Sequence, residues 1–313
     1  MTGEGVKRAK VGLGSLGSLL WLCGIIFFAV FLSGEAAEYT VEGLKLACLG
    51  ILPTTLPTML ISDLYTAYGK PEKLSLPSRA VGALFGIHES GVRHILLGGL
   101  CGFPVGARSI GAAYERGELE RGEAERLVAL SSNPSPPFVI GAVGMGMLGS
   151  RKMGILLALS LVISTLLVGV IFRRKRTFFN IFRDIPRQRY SFIESVRSAA
   201  EASVILCAFI SSFSVLLGFV RKYLSLSPTR VLLFSLLEVT SGAEFFARGT
   251  ELAHPFSLCL LGFTLGFGGI SVMLQSAVFI KKAGLSMRLY LPMKLTQGVL
   301  CGAVIPILNY LIR

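Results

Sequence analysis

Charge is scarce in this chain: of 313 residues only 16% are Asp, Glu, Lys or Arg, and mean hydropathy is +0.68. Both values lie outside the range of an ordinary soluble domain. No G-x-S-x-G, H-E-x-x-H, Walker-type loop or dinucleotide fingerprint occurs, so no motif argues for an enzyme or calls for a cofactor. The six cysteines (Cys23, Cys48, Cys101, Cys207, Cys259, Cys301) include no C-x-x-C and no paired spacing, which removes the zinc-ribbon and redox readings and leaves small packing residues. His88 and His94 flank Glu89 but stand six residues apart. That is about 1.7 helical turns, on different faces, and no third ligand has metal-site spacing.

What the chain has instead is long apolar runs, at 16–33, 153–172, 199–220, 255–280 and 289–312. Each approaches or exceeds the roughly 18 to 20 residues that cross a hydrocarbon core of about 30 Å. The net charge of +13 could suggest nucleic acid, but the basic residues lie between the runs, where the positive-inside rule puts them. We therefore expect no nucleic-acid partner. V-K-R-A-K followed by the first run resembles a signal peptide, yet S-G-E-A-A-E lacks a clean small-x-small cleavage site. An uncleaved first span is the reading adopted, in an integral, multi-pass protein.

Orientation follows from the loops. Lys7, Arg8 and Lys10 place the N-terminus in the cytoplasm, and Glu35 and Glu38 lie outside. The run 41–65 contains Pro53 and Pro57 and is expected to be a kinked helix. Residues 80–103 form two short apolar pieces around H-E-S-G-V-R-H, which suits a re-entrant hairpin buried in protein; whether 80–103 and 228–247 span or re-enter is left open. A-Y-E-R-G-E-L-E-R-G-E-A-E-R-L is too charged for lipid and is expected on the cytoplasmic surface. The basic connector 173–197 is cytoplasmic as well. The fold class is thus an all-α polytopic membrane protein with about 7 to 9 spanning or re-entrant elements. It divides into a tail and first helix (1–39), a first repeat (40–172), the connector (173–197) and a second repeat (198–313) of opposite orientation.

The interruptions correspond between the halves. C-G-F-P-V-G-A-R (101–108) precedes S-N-P-S-P-P (132–137) by about thirty residues, and L-E-V-T-S-G-A-E (237–244) precedes F-G-G-I-S-V-M-L-Q (267–275) by a similar distance. Gly/Pro-interrupted segments at matching places are the sequence pointer to a transport site. A broken helix frees backbone groups that must find partners in a membrane, its N-terminal ends suit carboxylate or phosphate, and Gly102, Gly106, Gly268 and Gly269 permit close approach. Pro104 lies in the same block, and Ser132, Asn133 and Ser135 add side-chain donors and acceptors around Pro134, Pro136 and Pro137. The same stretch also reads as a proline-initiated helix start. Arg108 is either an anion ligand or a positive-inside anchor, and Glu238, followed by Thr240, either serves ion coupling and substrate contact or partners an arginine. Gln275, with Ser271, either contacts ligand or glues helices.

L-G-G-L-C-G-F-P-V-G-A-R, the charged segment, S-S-N-P-S-P-P-F-V-I-G-A-V-G, L-L-E-V-T-S-G and L-G-F-G-G-I-S-V-M-L-Q together resemble the sporulation integral membrane protein YlbJ family, also called SpoVV, within the broader Gate or nucleoside-recognition group. The resemblance covers roughly residues 40–310. It implies an architecture like that of concentrative nucleoside transporters and a role in moving dipicolinic acid from the mother cell across the outer forespore membrane during endospore formation. The implied ligand is a small organic dianion, with H+ or Na+ as the coupling ion left open. Two alternatives remain: a nucleoside-type transporter of the Gate group, and a non-transporting sporulation scaffold that recruits other sporulation membrane proteins or a second copy of itself.

Overall fold

The computed structural model describes Cys23 and residues 33–68, 76–174, 192–223, 233–234, 236–248 and 255–312. The run 16–33 expected to be the first span lies almost wholly outside the described residues, as does most of the basic connector. Among the described residues the structure is helical throughout. Four helices are long and apolar enough to cross a membrane: Arg151–Ile171, Phe192–Tyr223, Phe256–Lys282 and Tyr290–Leu311. They match the expected runs within a turn or two, and the protein is a polytopic membrane protein.

The chain opens with α1 (Ser33–Lys45), a π-helical turn (Leu46–Ile51) and α2 (Leu52–Tyr68). Pro57 lies inside α2, and the bend between Ser33–Ile51 and Thr55–Tyr65 is 54°. The kink expected from the two prolines is therefore present. Next come α3 (Leu76–Phe85) and α4 (Glu89–Cys101), then α5 (Val105–Glu115) and α6 (Arg121–Ser131). The break between α3 and α4 is confined to Gly86–His88, so Glu89–His94 is not a polar hairpin tip but the first turns of a helix. His94 is fully buried, its Nδ1 2.6 Å from Ser109 Oγ on α5.

The charged segment also departs from expectation. It is no solvated surface helix: it turns at Gly117 between α5 and α6, and α6 buries Glu123 and Arg126. Arg126 donates to the carbonyls of Phe85 (3.4 Å), Gly86 (3.2 Å) and Phe172 (3.4 Å), which are left over at the C-terminal ends of α3 and α7. Glu123 accepts from the backbone N–H of His88 at 2.6 Å, where α4 begins. Helix ends leave such groups unsatisfied and carry partial charges of these signs. The charges that forbid burial in lipid are thus used to join three helix termini inside the protein.

A π-helical segment (Pro137–Met147) leads into α7 (Arg151–Ile171). The second half contains α8 (Phe192–Tyr223), α9 (Val239–Arg248), α10 (Pro255–Phe267), α11 (Gly269–Lys282) and α12 (Tyr290–Leu311). Helices α10 and α12 meet through two G-x-x-x-G faces, Gly262 with Gly266 and Gly298 with Gly302. A Cβ on Gly302 would stand 2.6 Å from Cys259 O, and one on Gly266 2.8 Å from Gln297 O. Small residues that let backbones touch in this way are the usual device where lipid offers no hydrophobic driving force.

Three apolar clusters fill the interior. One gathers Phe85, Ile87, Ile110, Leu127 and Val168 with Ile280 and Met293. A second joins Val139, Leu157 and Leu161 to Phe246, Leu261, Leu265, Val272 and Ile305. The third sets Ala47, Met59 and Val105 against Ala199 and Leu206. Each contains residues from both halves or packs against them, so the halves share one interior.

Candidate functional site

Four interruptions lie where the sequence places them, and they meet in pairs. In the first half α4 ends at Cys101, Gly102 adopts φ +81°, and Pro104 precedes α5. A Cβ on Gly102 would lie 3.0 Å from both Cβ and N of Ser135, and Gly106 is pressed equally closely on Ser131. The backbone N–H of Phe103 donates to Asn133 O at 3.0 Å. The G-F-P-V-G-A and S-N-P-S-P-P blocks are therefore one structural unit, held by residues that only glycine fits.

The prolines serve two ends. Ser132 to Ser135 runs outside the helices, while Pro136 and Pro137 open the π-helical segment with helical geometry. The stretch therefore both breaks the chain between helices and starts a helix, at different residues. In the second half Gly268 and Gly269 both adopt φ +83° between α10 and α11. A Cβ on Gly269 would lie 3.1 Å from Leu237 O and 3.2 Å from Glu238 N. The L-E-V-T-S-G and F-G-G-I-S blocks are thus likewise in contact.

The two pairs are joined by residues the sequence reading passed over. Lys294, in the second turn of α12 and 1% exposed, donates from Nζ to Ser132 O at 2.6 Å and to Gln297 Oε1 at 2.7 Å. A Cβ on Gly268 would stand 4.0 Å from its Cε. Gln297 Nε2 donates to Asn133 Oδ1 (2.5 Å) and Thr165 Oγ1 (2.9 Å). Asn133 Nδ2 donates to Leu130 O (2.8 Å), closing the C-terminus of α6. Around Lys294 there is therefore a buried polar layer made from α6, α7, α12 and the break between α10 and α11.

The other expected site residues fall as follows. Ser132 and Asn133 are buried within the layer, and Ser135 borders it. Glu238 caps α9: its Oε1 accepts from Thr240 N (3.0 Å) and its Oε2 from Ser241 N (2.7 Å). A carboxylate there complements the positive helix end. Ser271 and Gln275 are buried on α11, and Gln275 Oε1 has no hydrogen-bond partner. Arg108 stands apart from the layer. It is buried in an ion pair with Asp63 on α2 and donates to Ser198 Oγ on α8 at 2.6 Å. Its Nη2 thus already has a counter-ion, while its buried Nη1 has no hydrogen-bond partner.

Lys294 left little trace in the sequence because the run 289–312 reads as a span with one cation near its end, where lysines commonly reach back to the interface. Here the chain folds inward instead. The usable signal was K-L-T-Q, a cation and an amide three residues apart on one helix face.

No family model matches the chain, and no solved structure matches it. The chain is similar to the sporulation integral membrane protein YlbJ of Bacillus subtilis (strain 168), 24% identical over an alignment 314 positions long that covers 87% of this chain and 77% of that protein. The alignment takes in both halves and bears out the family resemblance carried by the two interrupted blocks.

Proposed function

We propose, from the premise that the chain belongs to the family of the sporulation integral membrane protein YlbJ, that it is a sporulation membrane protein working as a secondary carrier for a small organic anion. Dipicolinate crossing the outer forespore membrane is the first candidate. The observation that carries this reading is that four helix interruptions meet in pairs, 102 on 135 and 269 on 237–238, and that Lys294 ties the first pair, through Ser132 O, to Gly268 of the second. Interrupted helices meeting at the join of two similar halves are how secondary transporters build a substrate site inside a membrane.

The order of elements supports the same reading. A break at 102–104, two helices, a break at 132–136 and a span in the first half are followed by a break at 238, two helices, a break at 268 and a span in the second. In this reading the two units are inverted relative to each other, the N-terminus and basic connector are cytoplasmic, and access alternates by rocking one unit against the other. The coupling ion is H+ or Na+.

The scaffold alternative is weakened by the burial of Glu123 and Arg126, whose charges are turned inward onto helix ends rather than outward to a partner. The test is uptake of labelled dipicolinate and of nucleosides by the purified protein in lipid vesicles, with and without sodium or proton gradients. Gradient-driven dipicolinate uptake is expected. Nucleoside uptake without dipicolinate uptake would replace the substrate, and uptake of neither would sink the carrier reading.

A further inference from the structure

Lys294 is a buried cation with no carboxylate beside it. Among the described residues the acids held in ion pairs stand elsewhere: Asp63 with Arg108, Glu118 with Arg93 and Arg116, Glu125 with Arg121, Glu201 with Arg197, Glu35 with Lys222. Glu238 is held by the first N–H groups of α9 and Glu123 by that of His88. Lys294 has only two neutral acceptors, Ser132 O and Gln297 Oε1, for the three donors of an ammonium.

A purely structural tie between those two oxygens would not need a full charge. An amide or hydroxyl bridges carbonyl oxygens without the several kcal/mol that burying an ion costs. Ionisable groups inside membrane proteins are rare and face sites of function. The surroundings of Lys294 also have the form of a site. The side-chain-free backbone of Gly268 lies over its stem, and the 14-residue helix α11 begins at the next residue, so its positive end points into the same layer.

We propose that Lys294 is the anion anchor of this protein, its Nζ pairing with one carboxylate of the substrate at the break between α10 and α11, in exchange for Gln297 Oε1. The inference rests on the carrier reading given above and sharpens it to a carboxylate. In the empty protein Gln297 Oε1 and Ser132 O hold the ammonium, and Gln297 remains tied to Asn133 and Thr165 when the carboxylate arrives. One ammonium recognises one carboxylate. A pyridine bearing a single carboxylate therefore binds, and the corresponding neutral carboxamide does not.

The experiment measures equilibrium binding of labelled dipicolinate to the purified full chain in detergent, with picolinate and picolinamide as competitors, beside thermal unfolding without ligand. For wild type, both acids compete and the amide does not. Lys294→Met weakens dipicolinate binding about 10- to 100-fold, the loss expected for a charge-assisted hydrogen bond, in a protein that still unfolds cooperatively, because removal of a buried ion offsets in part the lost donor to Ser132 O and Gln297 Oε1. Gln297→Glu supplies an internal carboxylate to the ammonium and lowers dipicolinate binding in a folded protein.

Lys294→Met binding within threefold of wild type overturns the anchor and leaves the carrier reading standing. So does a Gln297→Glu protein that binds normally, or a Lys294→Met protein that shows no cooperative unfolding transition, since the lysine is then structural. Equal competition by picolinamide removes the charge from recognition and overturns it too. Wild type that binds no carboxylate overturns both readings together.

Discussion

Replacing Arg126 with methionine separates a buried charge clamp from a surface cation. Methionine keeps most of the aliphatic stem and deletes the guanidinium, which donates to Phe85 O, Gly86 O and Phe172 O at 3.2 to 3.4 Å and from Nε to Gly122 O at 3.3 Å. A hydrogen bond to a charged group contributes about 1.5 to 3 kcal/mol at good geometry, and these lie at or beyond the long end of the range, so about 1 kcal/mol each is the better figure. Three bonds that join separate helices then give about 3 kcal/mol, offset in part because the guanidinium no longer has to be desolvated. The folded-to-unfolded ratio should fall on the order of 100-fold. Urea unfolding in mixed micelles measures it, with Arg121→Met as the control. Arg121 is 62% exposed, pairs with Glu125 in its own helix and makes one long, exposed hydrogen bond to Gly284 O at 3.3 Å, so its loss should stay within about 1 kcal/mol. Equal midpoints for the two variants would refute the clamp and return this segment to the surface.

Three further substitutions probe the join and the site. Gly302→Leu sets a side chain where even a Cβ is 2.6 Å from Cys259 O, and should abolish the monodisperse folded peak in size-exclusion chromatography, because backbone cannot yield as a side-chain tip can. Asn133→Ala removes one of the two acceptors of Gln297 Nε2, leaving Thr165 Oγ1, and takes away the side-chain donor to Leu130 O; it should cost about 1 to 3 kcal/mol and suppress dipicolinate uptake in vesicles, and wild-type uptake would remove Asn133 from the site. Glu238→Gln retains one acceptor for the start of α9 but loses the negative charge. About 0.5 to 1 kcal/mol of stability should go while gradient-driven uptake persists, whereas uptake that no longer responds to the gradient would make Glu238 a coupling group after all.

The spans and the interruptions were legible because both are local. Twenty apolar residues or a G-F-P-V-G-A block declare themselves in one window, and the bend between Ile51 and Thr55 follows from prolines that lack an N–H. What the sequence could not display was pairing. Arg108 reads as unengaged until α2 brings Asp63 to it from 45 residues away. Glu238 resembles a buried coupling acid in a string of letters and becomes a helix cap only when the backbone N–H groups of Thr240 and Ser241 turn toward it. The acid-rich segment failed for a related reason: composition argues against lipid, and it was read as arguing for water. Glu123 and Arg126 meet neither, because helix ends inside a protein are themselves polar. The polar layer was legible on one side alone: Ser132 and Asn133 stood out, while Lys294, Gln297 and Thr165 did not, since the contacts that join Lys294 and Gln297 to the first half run between residues 132 to 164 positions apart.

How the halves meet bears directly on whether they can move. Within the second half, α10 and α12 are locked backbone to backbone through glycines, a contact that cannot slide without collision. Between the halves, α7 turns hydroxyls toward α12: Ser160 Oγ lies 3.2 Å from Cys301 Sγ, and Thr165 Oγ1 accepts from Gln297. Both hydroxyls also donate to their own helix, Ser160 to Leu157 O and Thr165 to Leu161 O. Parting α7 from α12 therefore orphans neither hydroxyl as a donor, and the polar cost of opening falls on Lys294 and Gln297, whose partners Ser132 O and Asn133 Oδ1 lie across the join. A carboxylate bound at Lys294 supplies the acceptor that opening would remove. In the carrier reading, that makes substrate the group that lowers the cost of separation, and an empty protein the one held shut.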